Sequence, residues 1–179
     1  MKLKILGISG SLRATSSNNV IMKIVAGMVP ENVDFRIYEG LGDLPHFNDS
    51  PVIPAAVENF HALLKESDAV FICTPEYAFG VPGSLKNALD WTVGTGDFVN
   101  KPVALVTASS VGDKAHASLL NTLTAISADI VEGGTLLVSF VRSKLNNKGE
   151  ISDAATYQAI KYVVDNLIKS VSANKQGAG

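Results

Sequence analysis

Along the chain, short apolar runs alternate with longer stretches in which apolar residues recur every three or four positions. The first run, Leu3 to Ile8, is continuous rather than alternating, which predicts a parallel strand covered on both faces. Ser16 or Ser17 then offers a helix N-cap, and Val20, Ile21, Ile24, Val25 and Met28 follow at helical spacing. Val33 to Tyr38 predicts a second strand. Leu41 to Ile53 reads as a proline-bearing loop, with Pro54 placed to open a helix through Leu64. Ala69 to Thr74 is the third strand, followed by a loop and a helix over Pro82 to Val93. Pro102 to Thr107 predicts the fourth strand, Ala115 to Ala128 a helix, and Thr135 to Phe140 the fifth strand. The closing helix spans Ser152 to Ser170, with Ser152 as its cap and Ile160, Val163, Val164, Leu167 and Ile168 as its apolar face.

Strand followed by helix five times over predicts an α/β domain with a parallel sheet and right-handed crossovers. The pattern spans residues 1–171 as one domain, and the small polar residues 172–179 read as a frayed tail. In such sheets a ligand lies beyond the carboxyl ends of the strands, where the strand order reverses. The loops that begin at Ser9, Thr74 and Thr107 are therefore the places to look for chemistry.

Composition narrows the classes. The 179 residues allow one sizeable core. Fifteen basic residues against 17 acidic ones give a net charge of −2, without the basic excess of a nucleic-acid binder. The same mild charge argues against a strongly acidic electron carrier that docks by steering. Cys73 is the single cysteine, so neither an internal disulfide nor a thiolate metal cluster is expected, and its apolar run marks it as a buried hydrophobe. No stretch approaches the ~18 apolar residues of a membrane span, and the first apolar run is too short for a signal segment. A soluble, cytoplasmic protein is expected.

The first loop, Ser9 to Asn19, packs five hydroxyls, two amides and Arg13 between a strand and a helix start. Unpaired N–H groups and the positive end of the helix dipole stabilise an anion there. Gly10 lets the backbone curl closely, and Ser11, Ser16 and Asn18 can reach phosphate oxygens, with Arg13 as the cation. The Gly-Lys-Ser/Thr ending of a nucleoside-triphosphate loop is missing, as is Gly-x-Gly-x-x-Gly. The second loop places Glu76, Tyr77 and Phe79 between Pro75 and Pro82, an arrangement suited to a planar polar ring. For Phe79 alone, packing in the core is an equal reading.

Gly-Ser-Leu-Arg-x-x-Ser-x-Asn at Gly10 to Asn18, with Pro-Glu-Tyr and Pro-Gly-x-Leu-Lys-Asn-Ala-Leu-Asp-Trp within Pro75 to Trp91, resembles the NADPH-dependent FMN reductase family. That family includes bacterial quinone, azo and chromate reductases. The resemblance implies a flavodoxin-like fold, five parallel strands in the order 2-1-3-4-5 with helices on both faces. It implies that Ser11, Arg13, Ser16, Ser17 and Asn18 surround the phosphate of FMN, and that Pro75, Glu76 and Tyr77 line the isoalloxazine edge. It assigns Lys86, Asn87 and Asp90 to holding the loop or a subunit contact rather than to the flavin. Ser109, Ser110 and Gly112 extend the ring site, although the family's usual glycine pair is reduced here to Gly112, with Asp113-Lys114 where the second glycine is expected.

The function implied is an FMN-dependent oxidoreductase that takes a hydride from NADPH or NADH and reduces a quinone or similar small acceptor in ping-pong fashion. The chemistry belongs to the flavin, so no catalytic side chain and no metal is expected. A flavodoxin-type carrier without NAD(P)H oxidation is the alternative. The resemblance also implies a homodimer or homotetramer. His46, His61 and His116 read as surface or helix residues, Trp91 as a packing or interface residue, and Leu12 as pointing outward.

Overall fold

The computed structural model describes residues 2–177, without the side chains of 175–177. Five strands, β1 (Leu3–Ser9), β2 (Val33–Tyr38), β3 (Ala69–Thr74), β4 (Pro102–Ala108) and β5 (Asp129–Val138), form one sheet. Its order is β2-β1-β3-β4-β5 and every pairing is parallel. This is the flavodoxin-like order, with its reversal between β1 and β3. The crossovers are α1 (Ser17–Met28), α2 (Ala55–Glu66), α3 (Gly83–Trp91) and α4 (Asp113–Ala125), and α5 (Ala154–Gly177) closes the chain.

The two faces of the sheet bury separate cores. Ile5, Phe71, Ala104 and Val106 pack against Ile21, Met22 and Val25 of α1 and against Ile160, Val163, Val164 and Leu167 of α5. Leu6, Ile8, Val70, Ile72 and Leu105 pack on the other side against Val57, Phe60 and Leu64 of α2, Leu85 and Leu89 of α3, and Leu119 and Leu123 of α4. Burial on both faces is why the strands read as unbroken apolar runs. Among the described residues no helix is long and apolar enough to cross a membrane.

The differences from the sequence-based elements have local causes. The fifth strand starts at Asp129 rather than Thr135 and stops at Val138. Glu132-Gly133-Gly134 breaks its register with β4 between Val103 and Leu105, with Gly133 at φ 68°. An edge strand tolerates such an irregularity, but it hides the first half of the strand from pattern reading. Helix α4 begins at Asp113 because Gly112 supplies a left-handed cap residue, and it ends at Ala125, before Ser127 turns to φ 59°. The cap of α5 is Asp153, which accepts from the Thr156 N–H at 2.9 Å, whereas the Ser152 hydroxyl turns to the Lys144 carbonyl. Helix α5 carries on through Gly177; residues 178–179 of the expected tail lie outside the described residues.

Of the motif on α3, Asn87 and Trp91 hold a loop. The Asn87 carboxamide accepts from the Phe47 N–H at 2.8 Å and donates to the Pro45 carbonyl at 3.0 Å. Trp91 Nε1 donates to the same carbonyl at 2.8 Å while its ring meets Phe47 edge-on. Lys86 pairs with Asp90 along α3. The motif on α3 therefore fastens the long loop before α2 beside the end of the sheet.

Gly10 is required by crowding rather than by backbone freedom. A Cβ there would sit 2.3 Å from Thr74 Oγ1 and 2.9 Å from Thr74 Cβ, at the point where β1 and β3 run out. Gly83, at the start of α3, has nothing within 4 Å of an added Cβ. Gly10→Ala is expected to cost about 1–3 kcal/mol, a fall in Tm of roughly 2–10 °C for a chain of this size. Gly83→Ala is expected to leave Tm unchanged or slightly raised; thermal denaturation of the two variants side by side checks the assignment.

Candidate active site

The carboxyl ends of β1, β3, β4 and β5 open into a single cleft of about 840 Å³. One wall is the turn from β1 into α1. Ser16 has extended backbone geometry, and its Oγ accepts from the Asn19 N–H at 3.1 Å, capping α1. This leaves the first helical N–H groups and the positive end of the dipole facing the cleft. Ser11 is 4% exposed, with its Oγ 3.4 Å from the Tyr77 hydroxyl across the cleft floor. Arg13 lies at the rim, its carbonyl held by Asn19 Nδ2 at 2.8 Å.

Asn18 lines the cleft but is also a strut. Its Nδ2 donates to the Ala108 carbonyl at 3.1 Å, and its Oδ1 accepts from Cys73 Sγ at 3.2 Å. Half of the hydrogen-bonding capacity expected for a phosphate is thus engaged with the ends of β3 and β4. Burial pushes the Cys73 thiol well above its ordinary range, so it stays protonated and serves as a donor.

The β3–α3 loop forms the far wall. Pro75 is buried at the strand end, and Tyr77 is 47% exposed with its hydroxyl turned toward Ser11. A two-residue turn at Ala78-Phe79 closes on reciprocal Tyr77–Gly80 backbone bonds, with both central residues at positive φ. Phe79 is 80% exposed, which settles the equal readings against the core. Glu76 joins two loops: its N–H donates to Ser109 Oγ at 3.2 Å, and its carboxylate accepts from the Ala115 N–H at 2.9 Å. A carboxylate at the N-terminus of α4 satisfies an orphan donor and complements the helix dipole.

Of the residues expected from the sequence, Ser11, Arg13, Ser16, Ser17, Asn18, Pro75, Glu76, Tyr77, Ser109 and Ser110 all line the cleft. Gly112 does not. It sits under the loop at φ 96°, where a Cβ would meet Leu137 Cδ1 at 2.9 Å, and its role is to cap α4. His46 is exposed, and His116 bonds Thr107 Oγ1 at 2.9 Å, with burial lowering its affinity for a proton. His61 is on a helix as expected, but buried, with Nδ1 2.5 Å from Asp97 Oδ2 and remote from the cleft.

Sequence reasoning missed the wall built by the β5–α5 loop, which contributes Phe140, Arg142, Ser143, Asn146 and Asn147. The signal available was polar: Arg142-Ser143-Lys144 and Asn146-Asn147-Lys148 follow the last strand in a chain otherwise sparing of charge. The left-handed Phe140 starts a short 3-10 turn at Val141–Lys144. Backbone bonds from Phe140 to the Ser110 carbonyl (3.0 Å) and from Val141 to the Ser109 carbonyl (3.1 Å) lash that turn to the β4–α4 loop.

The donor set fits a flavin mononucleotide. Buried Ser11, Ser16 and the unpaired Arg13 surround the start of α1, as a phosphate monoester requires. The slot between Tyr77 and Ser109-Ser110 offers an aromatic ring and polar groups for a planar heterocycle.

A doubly wound parallel sheet with a cleft at its switch point defines a flavodoxin-like α/β protein. The chain belongs to the NADPH-dependent FMN reductase family, whose pattern matches residues 3–142, and so is an oxidoreductase working with FMN and NAD(P)H. It is similar to the NADH-dependent flavin reductase subunit 2 of Lactobacillus johnsonii, 28% identical over 180 residues and covering 94% of this chain and 97% of that one. It is similar to the quinone reductase of Escherichia coli, 29% identical over 166 residues, 87% of this chain and 88% of the relative. Among solved structures, the flavoenzyme NAD(P)H:(acceptor) oxidoreductase of Paracoccus denitrificans superposes with a TM-score of 0.78 at 27% identity, covering 96% of this chain and 98% of that one.

Loss of the Glu76 carboxylate should loosen the β4–α4 loop. Glu76→Ala is expected to destabilise the fold by about 0.5–2 kcal/mol, the usual worth of a helix cap. Glu76→Gln keeps an accepting oxygen and is expected to lose only the charge–dipole part, about 0.3–1 kcal/mol. Denaturant unfolding of both variants measures the difference; an Ala variant as stable as the parent would mean that the cap contributes nothing.

Proposed function

We propose that this protein holds FMN as a resident group and reduces quinones or similar small acceptors with electrons from NAD(P)H. The observation that carries the reading is the cleft itself, in which an anion-binding turn and a polar, aromatic-edged slot face one another across Ser11 and Tyr77. When bound, FMN supplies the hydride-accepting ring chemistry. Ser11, Ser16, Ser17, Arg13 and the start of α1 bind its phosphate, while Pro75, Glu76 and Tyr77 with Ser109 and Ser110 position the ring.

The residues support an open rather than a sealed site. Tyr77 is half exposed and Phe140, on the opposite lip, is 68% exposed, so donor and acceptor have access to the same side in turn. Sharing one side in succession is the geometry of ping-pong kinetics. The reading extends to azo compounds, metal oxyanions and free flavin as acceptors, and to a homodimer or homotetramer acting in the cytoplasm. Leu12 and Phe79, 60% and 80% exposed beside the cleft, supply apolar surface for a second copy.

The test is the visible spectrum of the purified, FMN-loaded protein under anaerobic conditions. Bleaching by NADPH or NADH and recovery on adding a quinone is the expected result. A flavin spectrum that neither nucleotide bleaches would make the protein a carrier, and no affinity for FMN would overturn the site. Arg13→Ala and Ser11→Ala should each weaken FMN retention about ten- to a hundredfold, since a hydrogen bond to a charged group is worth roughly 1.5–3 kcal/mol. Fluorescence titration with FMN reads this directly.

A further inference from the structure

Two guanidinium groups line the cleft from different walls, and among the described residues neither has a hydrogen-bond or ion-pair partner. Arg13 stands at the α1 end, where buried hydroxyls and a helix N-terminus already gather around one anion. Arg142 stands on the β5–α5 wall, on a turn bonded to the Ser109 and Ser110 carbonyls at the ring end. One resident phosphate accounts for the first. The second is left over.

The surroundings of Arg142 show that its freedom is local and specific. Lys144, on the same turn, is committed to Asp153 at 3.3 Å. Glu150, on the same loop, accepts from the Asn146 carboxamide at 2.8 Å and forms no ion pair with Arg142. Glu76, the one carboxylate in the cleft lining, caps α4 through the Ala115 N–H. Arg142 thus has no ion-pair partner among the described residues, on a turn pinned at both flanks, because Ser143 N–H also donates to the Phe140 carbonyl at 2.9 Å. Ser143, Asn146 and Asn147 line the cleft beside it; the Ser143 hydroxyl donates to the Phe140 carbonyl and the Asn146 amide to Glu150, which leaves the Asn147 amide as a neutral donor. A guanidinium carried on a pinned turn suits a phosphate monoester.

We propose that Arg142 binds the 2′-phosphate of an incoming NADPH, making the β5–α5 wall the element that discriminates NADPH from NADH. This assignment rests on the NAD(P)H-oxidising function proposed above. The two nucleotides differ only in that phosphate, so a cation that the FMN phosphate does not use would separate them. Asn147 would frame the ribose on the same wall.

The experiment compares the FMN-loaded parent with Arg142→Ala and Arg142→Lys. Calorimetric titration uses adenosine 2′,5′-bisphosphate and 5′-AMP as probes, and fluorescence titration measures FMN retention. In the parent the bisphosphate should bind at least tenfold more tightly than 5′-AMP. Arg142→Ala should erase that advantage, with FMN affinity unchanged, and should lower the NADPH-to-NADH ratio of kcat/KM about tenfold or more. Arg142→Lys, which keeps the charge without the fork, should restore part of it. Weaker FMN retention in Arg142→Ala would reassign the residue to the resident phosphate and overturn the proposal. An equal loss for both probes, or no change for either, would overturn it as well. A parent that oxidises neither nucleotide defeats the functional reading, whereas a parent that oxidises both, with Arg142→Ala matching it throughout, defeats this assignment alone.

Discussion

The carboxamide of Asn18 is the point on which the cleft depends. Buried at the start of α1, it accepts from the Cys73 thiol at the end of β3 and donates to the Ala108 carbonyl at the end of β4. Gly10 adds a backbone bond to the Cys73 carbonyl at 2.8 Å. Together these contacts fix the N-terminus of α1 against three strand ends, so the β1–α1 turn and the β3–α3 and β4–α4 loops keep one relative geometry. A buried polar group with both ends satisfied rigidifies its surroundings in this way, because leaving either end unpaired in an apolar setting is costly. The single cysteine acquires its purpose here as a protonated donor inside the sheet.

The remaining loops are fastened by polar bonds that cross from one to the next. Glu76 ties the β3–α3 loop to the start of α4, and Val141 ties the β5–α5 loop to Ser109. Both spend charge or backbone polarity on position rather than on a ligand. Among the described residues the cleft is lined by two guanidinium groups without a partner against one carboxylate, a net positive charge that favours anions. Strain is admitted at the rim: Ala78, Phe79 and Phe140 all take positive φ, a conformation that costs energy for residues with a side chain. At Phe79 and Phe140 a bulky apolar group ends up exposed beside the cleft.

The strands, their order of appearance and most of the site were legible because they rest on local signals. Continuous apolar runs announce strands buried on both faces, and Ser11, Arg13, Ser16, Pro75, Glu76 and Tyr77 lie in two compact motifs next to strand ends. Such motifs are short because a turn must place several donors within a few ångströms of one ligand atom. Gly112 was misread because a glycine beside a ligand and a glycine that caps a helix look alike in sequence. The first half of β5 escaped because Glu132-Gly133-Gly134 interrupts its period.

The sequence by itself determined the class of fold, the switch point and the hydroxyl-rich turn that opens α1, since each follows from residues near one another in the chain. Tertiary structure alone decided three further matters. It brought the β5–α5 wall with Arg142 into the same cleft as Arg13, some 130 residues away in the chain. It turned Asn18 and Glu76 partly from ligand contacts into struts. It buried His61 against Asp97, remote from the cleft. The physical reason is common to all three: which partner a polar side chain meets depends on which strand ends lie side by side, and that neighbourhood exists only once the sheet has assembled.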